Sequence, residues 1–309
     1  MKFSPEEDGD VLAVGFIGVG AMGSPMARHA LAIGPVTVFD VDTARLDALA
    51  MLGAHVARSP REVAERADVL VVMVATPVQL DTVLFGEDGA EPELRAGQTL
   101  IVMASVGVEA VRAVAARLEG RGLHIVDAPV TGGVARAETA ELTILAGGSE
   151  AAIAAAQPVL QAMSKTVAHC GPAVGDGQAV KLVNQLLCSV HLAAAAEALA
   201  FAESLGLDPE VVLGAIQHGA ASSFMLSDRG PRMLAVDEPP VLSAIDIFVK
   251  DTSLVLDAAR EAASLVPLAE VAAERFGRAR ERGWGRRDDS KLIDLYLTAE
   301  NSRRPVPTP

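Results

Sequence analysis

Apolar positions in the first half of the chain fall into short unbroken runs. VLAVGFIG near the start, DVLVVMVA (68–75), TLIVMAS (99–105) and LHIVDAPV (123–130) each have strand length. An unbroken apolar run of that size predicts a strand buried on both faces. VTVFD, ending at Asp40, is a further strand, and HVA (55–57) a weaker one. Stretches with helical spacing separate the runs, and this alternation predicts a doubly wound parallel sheet. ELTILAGG (141–148) and KTVAHCG (165–171) predict two added strands around the helix EAAIAAAQPVLQAM. Thr76-Pro77 closes the run DVLVVMVA, where a ligand-facing loop is expected at a strand's carboxyl end.

The pattern changes at Gly175. From there to Gly206 the chain reads as one helix, roughly 40 Å long at ~1.5 Å per residue. Most of its length is apolar on every face, which predicts burial as an interdomain spine or in an oligomer core. Lys181, Asn184 and Gln185 stand at i, i+3 and i+4 and share one face near its start. Beyond it the chain is helical. Asp208-Pro209 starts a short helix, and IDIFVKDTSLVLDAAREAA and PLAEVAAERFGRARERG are two more. Residues 220–240, broken by Gly and Pro, read as a loop, and RARERGWGRRDD as a solvated face and turn. The expected domains are a sheet domain over 1–174, the long helix over 175–206 and a helical domain over 207–309. Residues 1–10 and 300–309 read as a disordered lead and a loose tail.

Composition narrows the function. A formal net charge of −14 argues against nucleic acid and anionic membranes as partners. No apolar run reads as a membrane span, since even the long helix carries Lys181, His191, Glu197 and Glu203. The start, MKFSPEEDGD, does not read as a signal peptide. Cys170 and Cys188 lack metal-type spacing and fit a reducing, cytoplasmic compartment, and no metal site is expected.

The chemistry begins at the first turn. Gly18-Val19-Gly20-Ala21-Met22-Gly23 is a GxGxxG pattern between a strand and a helix. Its glycines serve a tight turn, a close backbone approach to pyrophosphate and close helix packing. The helix N-terminus offers N–H groups to the phosphate. Asp40, 20 residues past Gly20, would hydrogen-bond the adenosine ribose and favours NAD over NADP. Arg45 reads as a solvated helix charge. The first domain is therefore expected to be Rossmann-type, with Gly18 to Gly23, Asp40, Thr76, Pro77 and Ser105 around the cofactor. The fold expected for the chain is α/β: this domain, then an all-α C-terminal domain, joined by the long helix.

Downstream motifs are more specific. Asp127 to Gly133, DAPVTGG, followed by ELTILAGG, resembles the substrate segment of the β-hydroxyacid (3-hydroxyisobutyrate) dehydrogenase family. Gly175, Gly177, Lys181 and Asn184 resemble its G-x-x-x-K-x-x-N segment, Lys250-Asp251 its late K-D pair, and GRRDDS (285–290) its G-x-x-D-x-S signature. The resemblance implies Lys181 as general acid/base. It implies Thr131, Gly132, Gly133, Asn184 and Gln185 as substrate contacts, and Lys250 near the nicotinamide. Elementary chemistry agrees. Oxidising an alcohol removes a hydride from carbon and a proton from oxygen, and a lysine in a desolvated, cationic setting can take that proton. A glycine pair in a turn can expose N–H groups to a carboxylate.

Some positions depart from the family. Thr131 replaces a serine, Ala140 a glycine, Gln185 an asparagine, and Val106 removes a hydroxyl beside Ser105. VHLAAAAEALAFAESLG, IQHGAASSFML, SAIDIFVKD and GWGRRDDS in the helical half are together similar to the L-threonate dehydrogenase branch, and this resemblance implies a four-carbon aldonate and NAD. His218, Ser222, Ser223 and Asp246 are polar candidates for such a substrate, each with a plain structural reading as well. His191 and Cys188 read as packing residues. The other readings are a 3-hydroxyisobutyrate or tartronate-semialdehyde enzyme, or a non-catalytic dinucleotide-binding scaffold. Lys181 speaks against the scaffold. The apolar long helix implies a homodimer or homotetramer.

Overall fold

The computed structural model describes residues 12–297, so the expectations for residues 1–10 and 300–309 lie outside the described residues. The chain divides into two compact units, up to Lys181 and from Leu182 onward.

In the first unit the apolar runs become strands: β1 (Val14–Ile17), β2 (Val36–Phe39), β3 (His55–Val56), β4 (Val69–Val72), β5 (Thr99–Val102) and β6 (His124–Asp127). They pair in parallel in the order β3-β2-β1-β4-β5-β6. The helices of this half are α1 (Gly23–Ala30), α2 (Asp47–Met51), α3 (Pro60–Arg66), α4 (Pro77–Phe85) and α5 (Val108–Arg117). Strand side chains alternate between faces, so β1, β4 and β5 each feed two cores. Val14, Phe16, Val69, Val71 and Ile101 enter one, while Ile17, Leu70, Val72, Leu100 and Val102 enter the other. Burial on both faces is why these runs show no polar alternation.

LHIVDAPV is not one strand. It breaks after Asp127, and β7 (Val130–Thr131) pairs with β8 (Leu142–Gly147) instead of continuing β6. Pro129 lies in the break and cannot donate to a ladder. The short helix α6 (Gly133–Glu138) joins β7 to β8. β8 runs antiparallel to β6 and pairs in parallel with β9 (Ser164–Gly171) across α7 (Glu150–Ala162).

The long helix α8 is Asp176–Ser204, 29 residues. The division between units falls inside it, so its first turn and a half packs with the sheet. By length and composition alone it could cross a membrane, contrary to the sequence expectation. However, half of its most apolar window is buried within the protein. Nor is it buried all round. Leu192, Ala196 and Leu199 are fully covered, while Val183, Leu187, Phe201 and, just past its end, Leu205 are exposed.

The second unit adds α9 (Pro209–Ile216), α10 (Phe224–Leu234), α11 (Ile245–Glu261) and α12 (Pro267–Glu281). Phe248 and Phe276 stack at 4.9 Å in its core. Two expectations fail here. The segment expected to be a loop contains α10, despite Gly230 and Pro231 within it. Ser223 caps it by accepting the Leu226 N–H at 3.0 Å. At Gly230 an added Cβ would lie 2.7 Å from Leu213, so the glycine serves close packing. The second part of the block read as solvated is buried. Asp288 and Asp289 are fully covered and pair with Arg232 and Arg229 of α10. Charge that looked surface-bound in sequence is instead what holds α10 in place.

Candidate active site

The parallel strands end in register. Phe39, Ile17, Val72, Val102 and Asp127 form one row across β2, β1, β4, β5 and β6. Everything just beyond them therefore emerges along one edge of the sheet: Asp40, the Gly18 turn, the loop before Thr76, the loop carrying Ser105, and Ala128. This is the carboxyl edge, where doubly wound sheets place their ligands.

Gly18 takes φ +92°, and a Cβ there would lie 2.5 Å from the Met73 carbonyl. At Gly23 it would lie 2.2 Å from the Gly18 carbonyl. Both glycines are required by the protein's own packing. Gly20 differs, because only the guanidinium tip of Arg45 comes near its Cβ position, at 2.9 Å. No side chain caps α1 behind Met22, which leaves first-turn N–H groups for an anion. The Asp40 carboxylate accepts N–H bonds from Val19 (2.8 Å) and Asp42 (2.9 Å), which anchors it beside the glycine turn. A carboxylate has about four acceptor positions, so capacity remains for a ribose diol. Ala21 lies exposed on the same turn. These residues fit a dinucleotide. Arg45 is not merely solvated: it pairs with Asp42 at 3.0 Å and reaches over the turn.

Thr76 is the N-cap of α4, its hydroxyl accepting the Gln79 N–H at 3.2 Å, and Pro77 is that helix's first residue. Their position on the edge follows from capping as much as from any ligand role. Thr131 ends β7, and Gly132 and Gly133 follow with φ of 132° and 74°. Glycine is needed for such a turn, in which successive N–H groups can converge.

The start of α8 is held by buried hydrogen bonds to two other elements. Asp127, fully buried at the end of β6, accepts the N–H of Gly175 and of Gln178, each at 2.7 Å. Burial pushes its carboxyl up to about 6, against the pull of those two N–H groups. The Gln178 side chain accepts from Val106 (3.2 Å) and Gly107 (3.1 Å) and donates to the Ala104 carbonyl at 2.9 Å. It thereby ties α8 to the loop of Ser105. Lys181 follows one turn later and is 8% exposed. Sequence reading missed both Asp127 and Gln178 as site-building residues. A signal for the first was present: an acid at the end of an apolar strand must find donors, and a helix start is the richest source.

In the second unit Asn184 donates to the Gln185 carbonyl oxygen at 2.8 Å and lies 3.4 Å from the Cys188 sulfur. Gln185 donates to Asp251, and Lys250 lies 2.9 Å from the other Asp251 oxygen. Gln185 is long enough to reach Asp251. Lys250 and Asp246 also line a recess with Val249, Ser253, Leu254 and Arg280. Among the other candidates, Ser223 is occupied as the α10 cap, and His218 and Ser222 are exposed.

Comparison with known proteins agrees with these motifs. A family profile described as the NAD binding domain of 6-phosphogluconate dehydrogenase matches residues 13–171. One described as NAD-binding of NADP-dependent 3-hydroxyisobutyrate dehydrogenase matches residues 175–296. The chain is 40% identical over 284 residues to an L-threonate dehydrogenase of Cupriavidus necator, covering 92% of this chain and 95% of that one. It is 33% identical over 286 residues to a 2-(hydroxymethyl)glutarate dehydrogenase of Eubacterium barkeri, covering 92% and 95%. A crystal structure described as 3-hydroxyisobutyrate dehydrogenase from Salmonella typhimurium superposes with a TM-score of 0.85 at 37% identity, covering 92% of this chain and 99% of that one.

Proposed function

We propose, for a chain that belongs to the 3-hydroxyisobutyrate dehydrogenase family, that its substrate is a four-carbon sugar acid of the L-threonate type and that Lys181 is its general acid/base. The protein is an NAD-dependent hydroxy-acid dehydrogenase. Bound NAD supplies the hydride acceptor. The glycine turn at 18–23 and Asp40 hold it, with Thr76, Pro77, Ser105 and Lys250 as further contacts. Thr131, Gly132 and Gly133 take the substrate carboxylate, and Asn184 and Gln185 face its oxygens. Lys181 accepts the proton of the hydroxyl that is oxidised and returns it in the reverse reaction.

One observation supports this reading. The helix start bearing Lys181 is bonded, through Asp127, to the end of β6, four residues before Thr131-Gly132-Gly133 at the end of β7. A buried lysine and a glycine turn suited to a carboxylate are thus built on one support. The similarity to an L-threonate dehydrogenase at 40% identity supports the four-carbon acid. Cys170 and Cys188, both thiols, suit a cytoplasmic enzyme. The exposed apolar residues Val183, Leu187, Phe201 and Leu205 support a homo-oligomer.

The test is Lys181→Ala, assayed by NADH absorbance on a panel of L-threonate, 3-hydroxyisobutyrate and, in reverse, tartronate semialdehyde. We expect L-threonate to give the highest kcat/KM and the variant to lose about 10²–10⁴-fold in kcat while still binding NADH. Wild-type turnover by the variant overturns the role of Lys181. A preference for another acid overturns the substrate.

A further inference from the structure

We infer that Asp127 and Gln178 are positioning residues for Lys181: together they clamp the first turn of α8 at the register that aims the lysine. The inference rests on the reading of Lys181 as the proton-transfer group. Asp127 is not a surface cap that water could replace. It comes from a strand 48 residues away, is fully buried, and takes two N–H groups at the helix start with one oxygen each. Those N–H groups have no acceptor within the helix, so the carboxylate is what satisfies them and complements the helix dipole.

Around this clamp there is no slack. A Cβ on Gly177 would lie 2.3 Å from the Leu145 carbonyl and 2.8 Å from Asp127, and one on Gly147 would lie 2.5 Å from the Asp127 carboxylate. The helix backbone therefore lies directly on β6 and β8. Gln178 then adds a second anchor at right angles in function, since its three bonds reach the 104–107 loop rather than the strand. Held through the Gly175 and Gln178 N–H groups on the strand side and through the Gln178 side chain on the loop side, the helix start is fixed in rotation as well as height. Lys181 is three residues beyond Gln178, too close for helix bending to undo that alignment. Misplacing a reacting group by about 1 Å can cost roughly 10²-fold in rate.

The clamp is also sensitive to protons. Protonation adds an O–H to one Asp127 oxygen and removes the negative charge, so its hold on the two N–H groups weakens. Asp176 on α8 and Cys170 on β9 act electrostatically with Asp127, and Arg112 of α5 approaches Gly175. Burial, rather than any of these, dominates the upward shift of Asp127.

The experiment compares Asp127→Asn, Gln178→Ala and Lys181→Ala as full-length proteins. It reads kcat, KM and the pH profile from 5 to 9, NADH affinity by fluorescence, and folding by circular dichroism. Asp127→Asn is expected to lose about 10²-fold in kcat with NADH affinity within about twofold of wild type. Its acid limb should lose an inflection near pH 6 that Gln178→Ala retains. Wild-type kcat in Asp127→Asn, or a loss of NADH affinity as large as the loss of kcat, overturns the inference. If Asp127→Asn does not fold, Gln178→Ala decides alone, because it leaves the buried carboxylate intact: a selective fall in kcat supports the clamp and an unchanged kcat overturns it. Lys181→Ala separates the two ideas. If it turns over normally, the reading of Lys181 is wrong whatever the others do. If it is inactive while the Asp127 and Gln178 variants are normal, only the clamp is wrong.

Discussion

Ala140 turns the chain at φ +55°, a left-handed conformation in which its Cβ crowds the backbone. The family pattern has glycine there, and the strain explains why. Ala140→Gly is expected to stabilise the protein by about 1 kcal/mol, raising Tm by roughly 2–3 °C; a lower Tm in a calorimetric scan would contradict this. Asp127 makes the opposite compromise. Its carboxyl is shifted from 3.8 to about 6, so the folded state binds that proton more tightly than the unfolded state does. Its contribution is therefore greatest below pH 4 and is lost as pH rises through 6. The loss is about 3 kcal/mol at 1.36 kcal/mol per unit. Urea titrations should show wild type losing stability relative to Asp127→Asn between pH 4 and 7; a relative gain over that range would reverse the sign. At neutral pH the residue gives up stability to keep two acceptors at the start of α8. Legibility at this scale was uneven. The tight turn at Gly18 and Gly23 was readable from spacing, whereas Gln178 carried no signal, because an amide's partners depend on a loop more than 70 residues away.

At the scale of elements, β1, β4 and β5 were readable because burial on both faces writes itself as unbroken hydrophobicity. α10 was not readable, because Gly230 and Pro231 argue locally against a helix. Tertiary contacts override them. Arg229 and Arg232 reach Asp289 and Asp288. Burial pushes the Asp288 carboxyl up, but the Ser290 hydroxyl, the Leu242 N–H and Arg232 outweigh it and hold the group below its usual range. Asp289, still more enclosed, is raised by burial despite Arg229. Arg232→Ala would leave buried carboxylates short of a partner and is expected to destabilise by about 3–5 kcal/mol, read as a lower urea midpoint. A cost below 1 kcal/mol would mean that the network is solvated after all.

At the scale of the molecule, α8 leaves an apolar stripe uncovered. Val183, Leu187, Phe201 and Leu205 fall on one helical face and are 49–64% exposed. A second copy of the chain is the covering that the proposed homo-oligomer supplies. Light scattering on the purified protein should give a dimer or tetramer mass, and Val183→Glu with Phe201→Glu should reduce it; a monomer in the unaltered protein would reject the proposal. Local pattern was enough for the parallel sheet, the glycine turn after β1, the place of Lys181 on a long helix and membership of one enzyme family. Each depends on local periodicity or on spacing within a motif, and these survive in one dimension. Tertiary structure alone decided which carboxylate holds the Lys181 helix, that Gln185 reaches Asp251, and that Asp288 and Asp289 are buried. These depend on donors and acceptors brought together from distant parts of the chain, and burial turns each such pairing from optional to obligatory.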